Sequence, residues 1–185
     1  MKEFIRREIL ARRSRQERDK KVKKDIAIRK NLRNISEYQN SNIILFYVSI
    51  RGEVRTESLI SEALENGKRV LVPFVNLANK TMLISEISDL DDLEPGSFGI
   101  PEPKNPKEFP LDEIDLVVVP GVAFDKTGNR VGFGTGFYDK FVKTLNKRIP
   151  LIALAYDFQI VKEIQPEEHD VKVHKIVTEN EIIEC

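Results

Sequence analysis

Four short runs carry apolar side chains at nearly every position: Ile43 to Val48, Arg69 to Val75, Leu116 to Val119 and Leu151 to Ala155. A strand with one wet face alternates, whereas a strand that is apolar throughout is buried on both faces. A helical pattern from about Thr56 to Leu64 separates the first two runs and stops at Asn66-Gly67. A second, from about Phe137 to Leu145, precedes the last run. Thr81 to Ile87, entered through the Asn79-Lys80 turn, reads as a short hairpin arm, and Lys175 to Thr178 as a final strand. Strands of this kind alternating with helices predict a three-layer α/β/α fold with a mostly parallel central sheet. The 185 residues suit one domain spanning 1–185, with residues 1–38 packed on it as basic N-terminal helices. Sheets of this class bind ligands beyond the carboxyl ends of their strands.

Phe4, Ile5, Ile9 and Leu10 form an apolar stripe at helical spacing. Ser14 followed by Glu17 fits a capping box that restarts the chain as a second helix, with Val22, Ile26, Leu32 and Ile35 on its buried side. Residues 1–35 hold fourteen Lys/Arg against five Asp/Glu, although the whole chain is neutral. Most of these charges read as a solvated face, but such a segment attracts phosphate, in a nucleotide or in a nucleic acid. Five of the nine prolines fall between Pro95 and Pro110, so that stretch is expected to be an ordered loop that wraps the surface or covers a cleft. The apolar runs are too short to span a bilayer, and the N-terminus has no apolar signal core. Cys185 is the only cysteine, which excludes an internal disulfide. A cytoplasmic protein without membrane or nucleic-acid partners, and a monomer, is the expectation.

The chemistry concentrates between Pro120 and Asp139. Four of the nine glycines lie between Gly128 and Gly136. Glycine admits positive φ and lets a ligand approach the main chain, so successive N–H groups can cradle a phosphate. A helix starting near Phe137 would aim its free N–H groups at the same anion. Arg130 adds a guanidinium suited to bidentate phosphate contact. Tyr138 can stack or hydrogen-bond, and the Asp139 carboxylate can reach a phosphate-bridging magnesium. No Gly-Lys-Ser/Thr follows, so this is not a Walker loop, and the Gly132-x-Gly134-x-Gly136 spacing is a poor dinucleotide fingerprint.

These residues resemble the 5-formyltetrahydrofolate cyclo-ligase family. The likeness covers nearly the whole chain: Pro-Gly, Phe-Asp, Gly-Asn-Arg and Gly-x-Gly-x-Gly-Phe-Tyr-Asp between Val119 and Asp139, the opening pair Lys2 and Arg6, Glu53 past the first strand, and Glu168-His169-Asp170 with Thr178. The resemblance implies an ATP-dependent cyclisation of 5-formyltetrahydrofolate to 5,10-methenyltetrahydrofolate, with magnesium. It implies ATP contacts from Lys2, Arg6, Arg130, Val131, Gly132, Phe133, Gly134, Thr135, Gly136, Phe137 and Tyr138. Folate contacts would come from Val48, Glu53 and the segment Phe133 to Phe137. Arg130 and Tyr138 would be the catalytic pair, and Asp139 and Asp170 the magnesium ligands. Phe137 stands where the commoner motif has a first tyrosine, and Phe133 and Thr135 occupy variable positions. His174 replaces an aspartate and is given no metal role.

Each residue also has a structural reading: Glu53 as a polar loop residue, Asp139 as a first-turn carboxylate, Asp170 as a surface pair with His169, Val48 as core. Two other functions remain on sequence grounds. One is nucleic-acid binding by the basic helices; the other is a different phosphate-ligand enzyme on the same fold, acting on a sugar phosphate or coenzyme A.

Overall fold

The structure, a computed structural model, describes residues 1–145 and 148–185. Helices α1 (Lys2–Ser14), α2 (Arg18–Arg33) and α3 (Ser36–Asn40) open the chain, followed by β1 (Ile43–Leu45), α4 (Glu57–Glu65), β2 (Arg69–Asn76) and β3 (Thr81–Ile87). A ribbon of β4 (Leu93–Pro95) and β5 (Pro101–Pro103) leads to β6 (Leu116–Val119), β7 (Ala123–Asp125), β8 (Arg130–Val131) and α5 (Phe137–Val142). Strands β9 (Leu151–Leu154), β10 (Ile160–Val161), β11 (Lys175–Val177) and β12 (Ile182–Glu184) complete it.

The main sheet has the order β12-β11-β9-β6-β1-β2-β3. Its inner strands are parallel, while β3 and β12 run antiparallel at the two edges. Successive residues of the inner strands face opposite cores, as a two-residue side-chain period requires. Ile44, Val70, Leu116, Val118 and Ile152 pack under α2, α3 and α4. Leu45, Leu71, Val117, Val119 and Leu151 face Phe109, Ile114 and Phe141 on the other side. Each such side chain, removed from water, contributes about 1.5–3 kcal/mol. The fold is therefore the expected α/β architecture with a mostly parallel sheet. From β1 the chain moves one way to β2, then returns to place β6 on the opposite side of β1. At such a reversal the connections leave in opposite directions and open a crevice at the strand ends.

A second, three-stranded sheet, β10-β7-β8, docks on α1 through Ile9, Val122, Ala123, Val131 and Ile164. This contact brings the start of the chain beside the glycine-rich segment.

Some expectations fail locally. The Ser14–Glu17 capping box is not made: the Ser14 hydroxyl donates to the Ala11 carbonyl at 2.9 Å, and Glu17 begins α2 without a side-chain cap. Val22 and Ile26 remain 42% and 52% exposed. Only the C-terminal half of α2 lies on the sheet, so Ile28, Leu32 and Ile35 form its buried face instead. Phe4 is exposed, leaving Ile9 as the buried member of the α1 stripe. The segment Thr81–Ile87 is the expected hairpin arm: it pairs antiparallel with β2 along its whole length and forms an edge of the main sheet. The proline-rich stretch is not wholly irregular, because Pro95 and Pro101 pair across the β4–β5 ribbon. Helix α5 ends at Val142, earlier than its periodicity suggested. Among the described residues no helix is long and apolar enough to cross a membrane.

Candidate active site

A cavity of about 290 Å³ opens at the strand reversal. Tyr47 and Val48, just past β1, and Pro120, just past β6, form its floor; Pro73 and Val75 of β2 close one side. The glycine-rich segment forms the opposite side, and Phe98 and Ile100 from the ribbon stand at its edge. The proline-rich stretch thus covers a cleft.

The glycine-rich wall is fixed from beneath by Asp125. Its carboxylate accepts from the Thr127 and Asn129 backbone N–H groups, the Thr127 hydroxyl, the Asn129 amide and the Ile164 N–H, at 2.8–3.1 Å. Burial works against the ionised form, but these donors together hold Asp125 below the ordinary aspartate range. The turn so fixed delivers Arg130, which is 7% exposed, into the cavity wall. Arg130 Nη2 meets Asp139 Oδ1 at 2.8 Å. Gly132 lies close against this guanidinium: a Cβ at that position would stand 3.4 Å from Arg130 Nη1. Gly136, with φ of 65°, reverses the chain into α5 so that Tyr138 faces the cavity. The Tyr138 hydroxyl is buried and, among the described residues, has no hydrogen-bond partner. Burial, reinforced by the Glu53 charge, raises its pKa well above the ordinary tyrosine value, so it stays a proton donor.

Glu53 occupies the other wall, 7% exposed. Its Oε2 accepts from the Ile50 N–H at 2.8 Å across a turn in which Arg51 and Gly52 both have positive φ. The Glu53 carbonyl accepts from the Tyr156 hydroxyl at 3.1 Å, and the same hydroxyl donates to Asp25 at 2.6 Å. Burial pushes the Glu53 carboxyl up to about 7, although the Ile50 N–H and the Arg13 and Lys21 charges pull the other way. Both protonation states are therefore populated near neutral pH, and the carboxylate can accept from ligand N–H groups.

Lys2 and Arg6 lie on one face of α1. Arg6 Nε donates to the Gly132 carbonyl at 2.9 Å, and its guanidinium also meets Glu3. Lys2 Nζ sits 2.5 Å from Asp170 and 3.3 Å from Glu167. Burial opposes both charged forms of the Lys2–Asp170 pair, but the contact wins, raising the lysine and lowering the aspartate. Asp139 Oδ1 also accepts from the Val171 N–H at 3.0 Å, which places the Asp139 carboxylate beside the 170–171 segment.

The structure thus brings Val48, Glu53, Arg130, Gly132, Phe133, Thr135, Gly136, Phe137, Tyr138 and Asp139 to one cavity. Lys2, Arg6 and Asp170 sit outside that lining, next to the glycine-rich segment and to the 170–171 segment that Asp139 contacts. Val131 also sits outside that lining: it is buried in β8, in the apolar cluster with Ile9. Gly134 lies on the outer side of the loop, near Arg6. His174 is remote: its Nδ1 accepts from the Leu151 N–H at 2.9 Å.

Comparison with known proteins identifies the family. The profile of the 5-formyltetrahydrofolate cyclo-ligase family matches residues 1–179. The chain belongs to that family. A probable 5-formyltetrahydrofolate cyclo-ligase of Caenorhabditis elegans is 36% identical over 158 residues, covering 79% of this chain and 77% of the relative. The 5-formyltetrahydrofolate cyclo-ligase of Haemophilus influenzae is 36% identical over 149 residues, with 78% and 79% covered. The solution structure of Aquifex aeolicus 5,10-methenyltetrahydrofolate synthetase superposes with a TM-score of 0.87 at 28% identity, covering 99% of this chain and 92% of that one.

Within this cyclo-ligase family member, two residues of the site escaped the sequence reading. Asp125 belongs to a motif that was noted, but its anchoring of the turn was not. Arg13 was counted among solvated charges, yet it is 3% exposed and holds the turn before Glu53. A signal existed: Lys2, Arg6, Ile9 and Arg13 share one helical face by spacing.

Proposed function

We infer that the chain catalyses the ATP-dependent cyclisation of 5-formyltetrahydrofolate to 5,10-methenyltetrahydrofolate. One observation carries the reading. A single cavity sets the buried carboxylate of Glu53 against Arg130, Asp139 and the free hydroxyl of Tyr138. A folate bound with its pterin N–H groups toward Glu53 would present its formyl group to the cationic wall.

The formamide oxygen is a poor leaving group. The γ-phosphoryl of ATP transfers to it, forming the new O–P bond as the bond to ADP breaks. The N10 lone pair then attacks the activated carbon, the C–O bond breaks with phosphate leaving, and the N10 proton is released. The protein's task is alignment and charge neutralisation. Arg130, Lys2 and Arg6 grip the phosphates, backbone N–H groups of the glycine-rich segment add donors, and Tyr138 donates to an oxygen of the transferring phosphoryl group.

The ion pairs support this assignment. Arg130 with Asp139 and Lys2 with Asp170 each join an expected phosphate-binding cation to an expected metal-binding carboxylate. On binding Mg-ATP the partners would exchange, each cation moving to phosphate and each carboxylate to the metal. The donor set suits a hard dication: both groups are carboxylates, and Asp170 shares its neighbourhood with Glu167, ligand atoms lying within 4.8 Å. Magnesium held there would neutralise charge on the transferring phosphoryl group.

The nucleic-acid alternative has little support. Arg13 is buried, Lys21 and Lys24 pair with Asp25 and Glu179, and Arg29 and Arg33 meet Glu62. The test is to mix protein, Mg-ATP and 5-formyltetrahydrofolate and follow the methenyl chromophore together with ADP. Formation of both in equal amounts is expected. Well-folded protein that yields neither refutes the assignment.

A further inference from the structure

We propose that Arg13 is a positioning residue that sets the folate side of the cavity, holding the turn that presents Glu53 and backing Phe133 of the opposite wall. This rests on the cyclo-ligase reading and extends it to a residue that touches neither substrate.

Arg13 is a cation in an interior position. It is 3% exposed and, among the described residues, has no carboxylate within ion-pair distance. Burial pulls its guanidinium below the ordinary arginine value, while the Glu53 charge works in the other direction. A buried charge is costly unless hydrogen bonds satisfy it, and among the described residues Nε and Nη1 have no partner. What Arg13 does make is specific. Its Nη2 donates to the Arg51 carbonyl at 2.8 Å and approaches the Ile50 carbonyl at 3.4 Å. Its own carbonyl lies 3.5 Å from where a Cβ on Gly52 would stand. Its guanidinium lies 5.6 Å from the centre of the Phe133 ring.

The turn needs such a hold. Arg51 has φ of 47°, a left-handed conformation that costs a non-glycine residue energy and persists only when neighbours impose it. Glu53 bonds the Ile50 N–H on one side of the turn, and Arg13 takes the carbonyls on the other. Lysine does not replace it fully, since a point charge on a flexible stem can meet the carbonyls but presents no flat face to the Phe133 ring. The carboxylate of Glu53 is faced by Arg13 from α1, Lys21 from α2 and Glu57 from α4, with Tyr47 and Tyr138 beside it and Tyr156 and Asp25 behind. Removing the Arg13 charge alone therefore raises the pH at which Glu53 ionises.

The experiment compares full-length wild type, Arg13→Lys and Arg13→Met. It reads kcat, KM for each substrate, folate Kd without ATP, the pH profile of kcat/KM for folate, and the thermal midpoint. In Arg13→Met the folate KM and Kd are expected to rise about 10-fold with ATP KM held within about twofold, as misplaced positioning groups do. The acid limb of the folate profile moves upward in Arg13→Met and stays in place in Arg13→Lys, which still loses folate affinity. Unchanged folate constants in both variants overturn the proposal. So do folate and ATP constants that rise together with a fallen thermal midpoint, which marks a structural staple. If Arg13→Met does not fold, the substrate split in Arg13→Lys decides on the same terms. A wild type that neither binds nor converts the folate overturns the cyclo-ligase reading itself.

Discussion

On the wall proposed to grip phosphate, Arg130, Gly132, Tyr138 and Asp139 come from one stretch of chain, whose leading turn is held by one buried carboxylate, Asp125. On the wall proposed to hold folate, Glu53 depends on Arg13 from the first helix and on Tyr156, 103 residues further along. The first wall is polar and ion-paired; the second buries a carboxyl and a guanidinium nearby without a direct contact. A locally built wall tolerates change elsewhere in the molecule, while an assembled wall responds to distant substitutions through geometry and through the protonation of Glu53.

The largest expected effect falls on the phosphate wall. Arg130→Met should lower kcat about 10²–10³-fold, the scale for losing one preorganised donor to developing charge. Steady-state turnover measured by ADP release checks this, and a loss under tenfold would move phosphate binding away from Arg130.

Glu53→Gln probes the other wall. Folate affinity should fall about 10–100-fold while ATP affinity holds, as for loss of a charge-assisted hydrogen bond. The pH sign follows from burial. The folded carboxyl ionises near 7 instead of the ordinary 4.5, so its protonated form favours the fold. Its stabilisation is complete below pH 4.5 and is lost as pH rises through 7, on the order of 3 kcal/mol. Denaturant titrations from pH 4 to 8 should show this slope in wild type and not in Glu53→Gln. Parallel slopes would mean that Glu53 is not the titrating group.

These contrasts explain what the sequence made legible. The parallel sheet showed in Leu116 to Val119 and Leu151 to Leu154, whose every residue is buried. The phosphate wall showed because glycines, Arg130 and Asp139 are neighbours in the chain. Residues joined only by tertiary contact did not show: Arg13 looked like one solvated charge among fourteen, and Tyr156 like the end of an apolar run. The short strands β7, β8 and β10 were invisible because two or three residues carry no periodicity. Val22 and Ile26 misled because a pattern marks an apolar face without saying how far the sheet extends beneath it.

Smaller effects separate the walls further. Lys2→Ala should raise ATP KM about fivefold, more at low ionic strength than high, with folate affinity unchanged. Titration with a nonhydrolysable ATP analogue at two salt concentrations checks it. Gly136→Ala should cost about 1–2 kcal/mol from its left-handed backbone alone and lower Tm by about 2–8 °C, because among the described residues nothing lies within 4 Å of the added methyl. A larger drop in a thermal melt would point to a tighter turn than the one described.

The most direct test of the two-walled site follows the oxygen that is meant to pass between the walls. With 5-formyltetrahydrofolate carrying ¹⁸O in its formyl group, phosphoryl transfer to that oxygen delivers the label to inorganic phosphate, one atom per methenyl product. Labelled phosphate is the expected result. Unlabelled phosphate, with the ¹⁸O found in water while the methenyl product still forms, would contradict a mechanism in which the Arg130 wall hands phosphate to a folate held by Glu53.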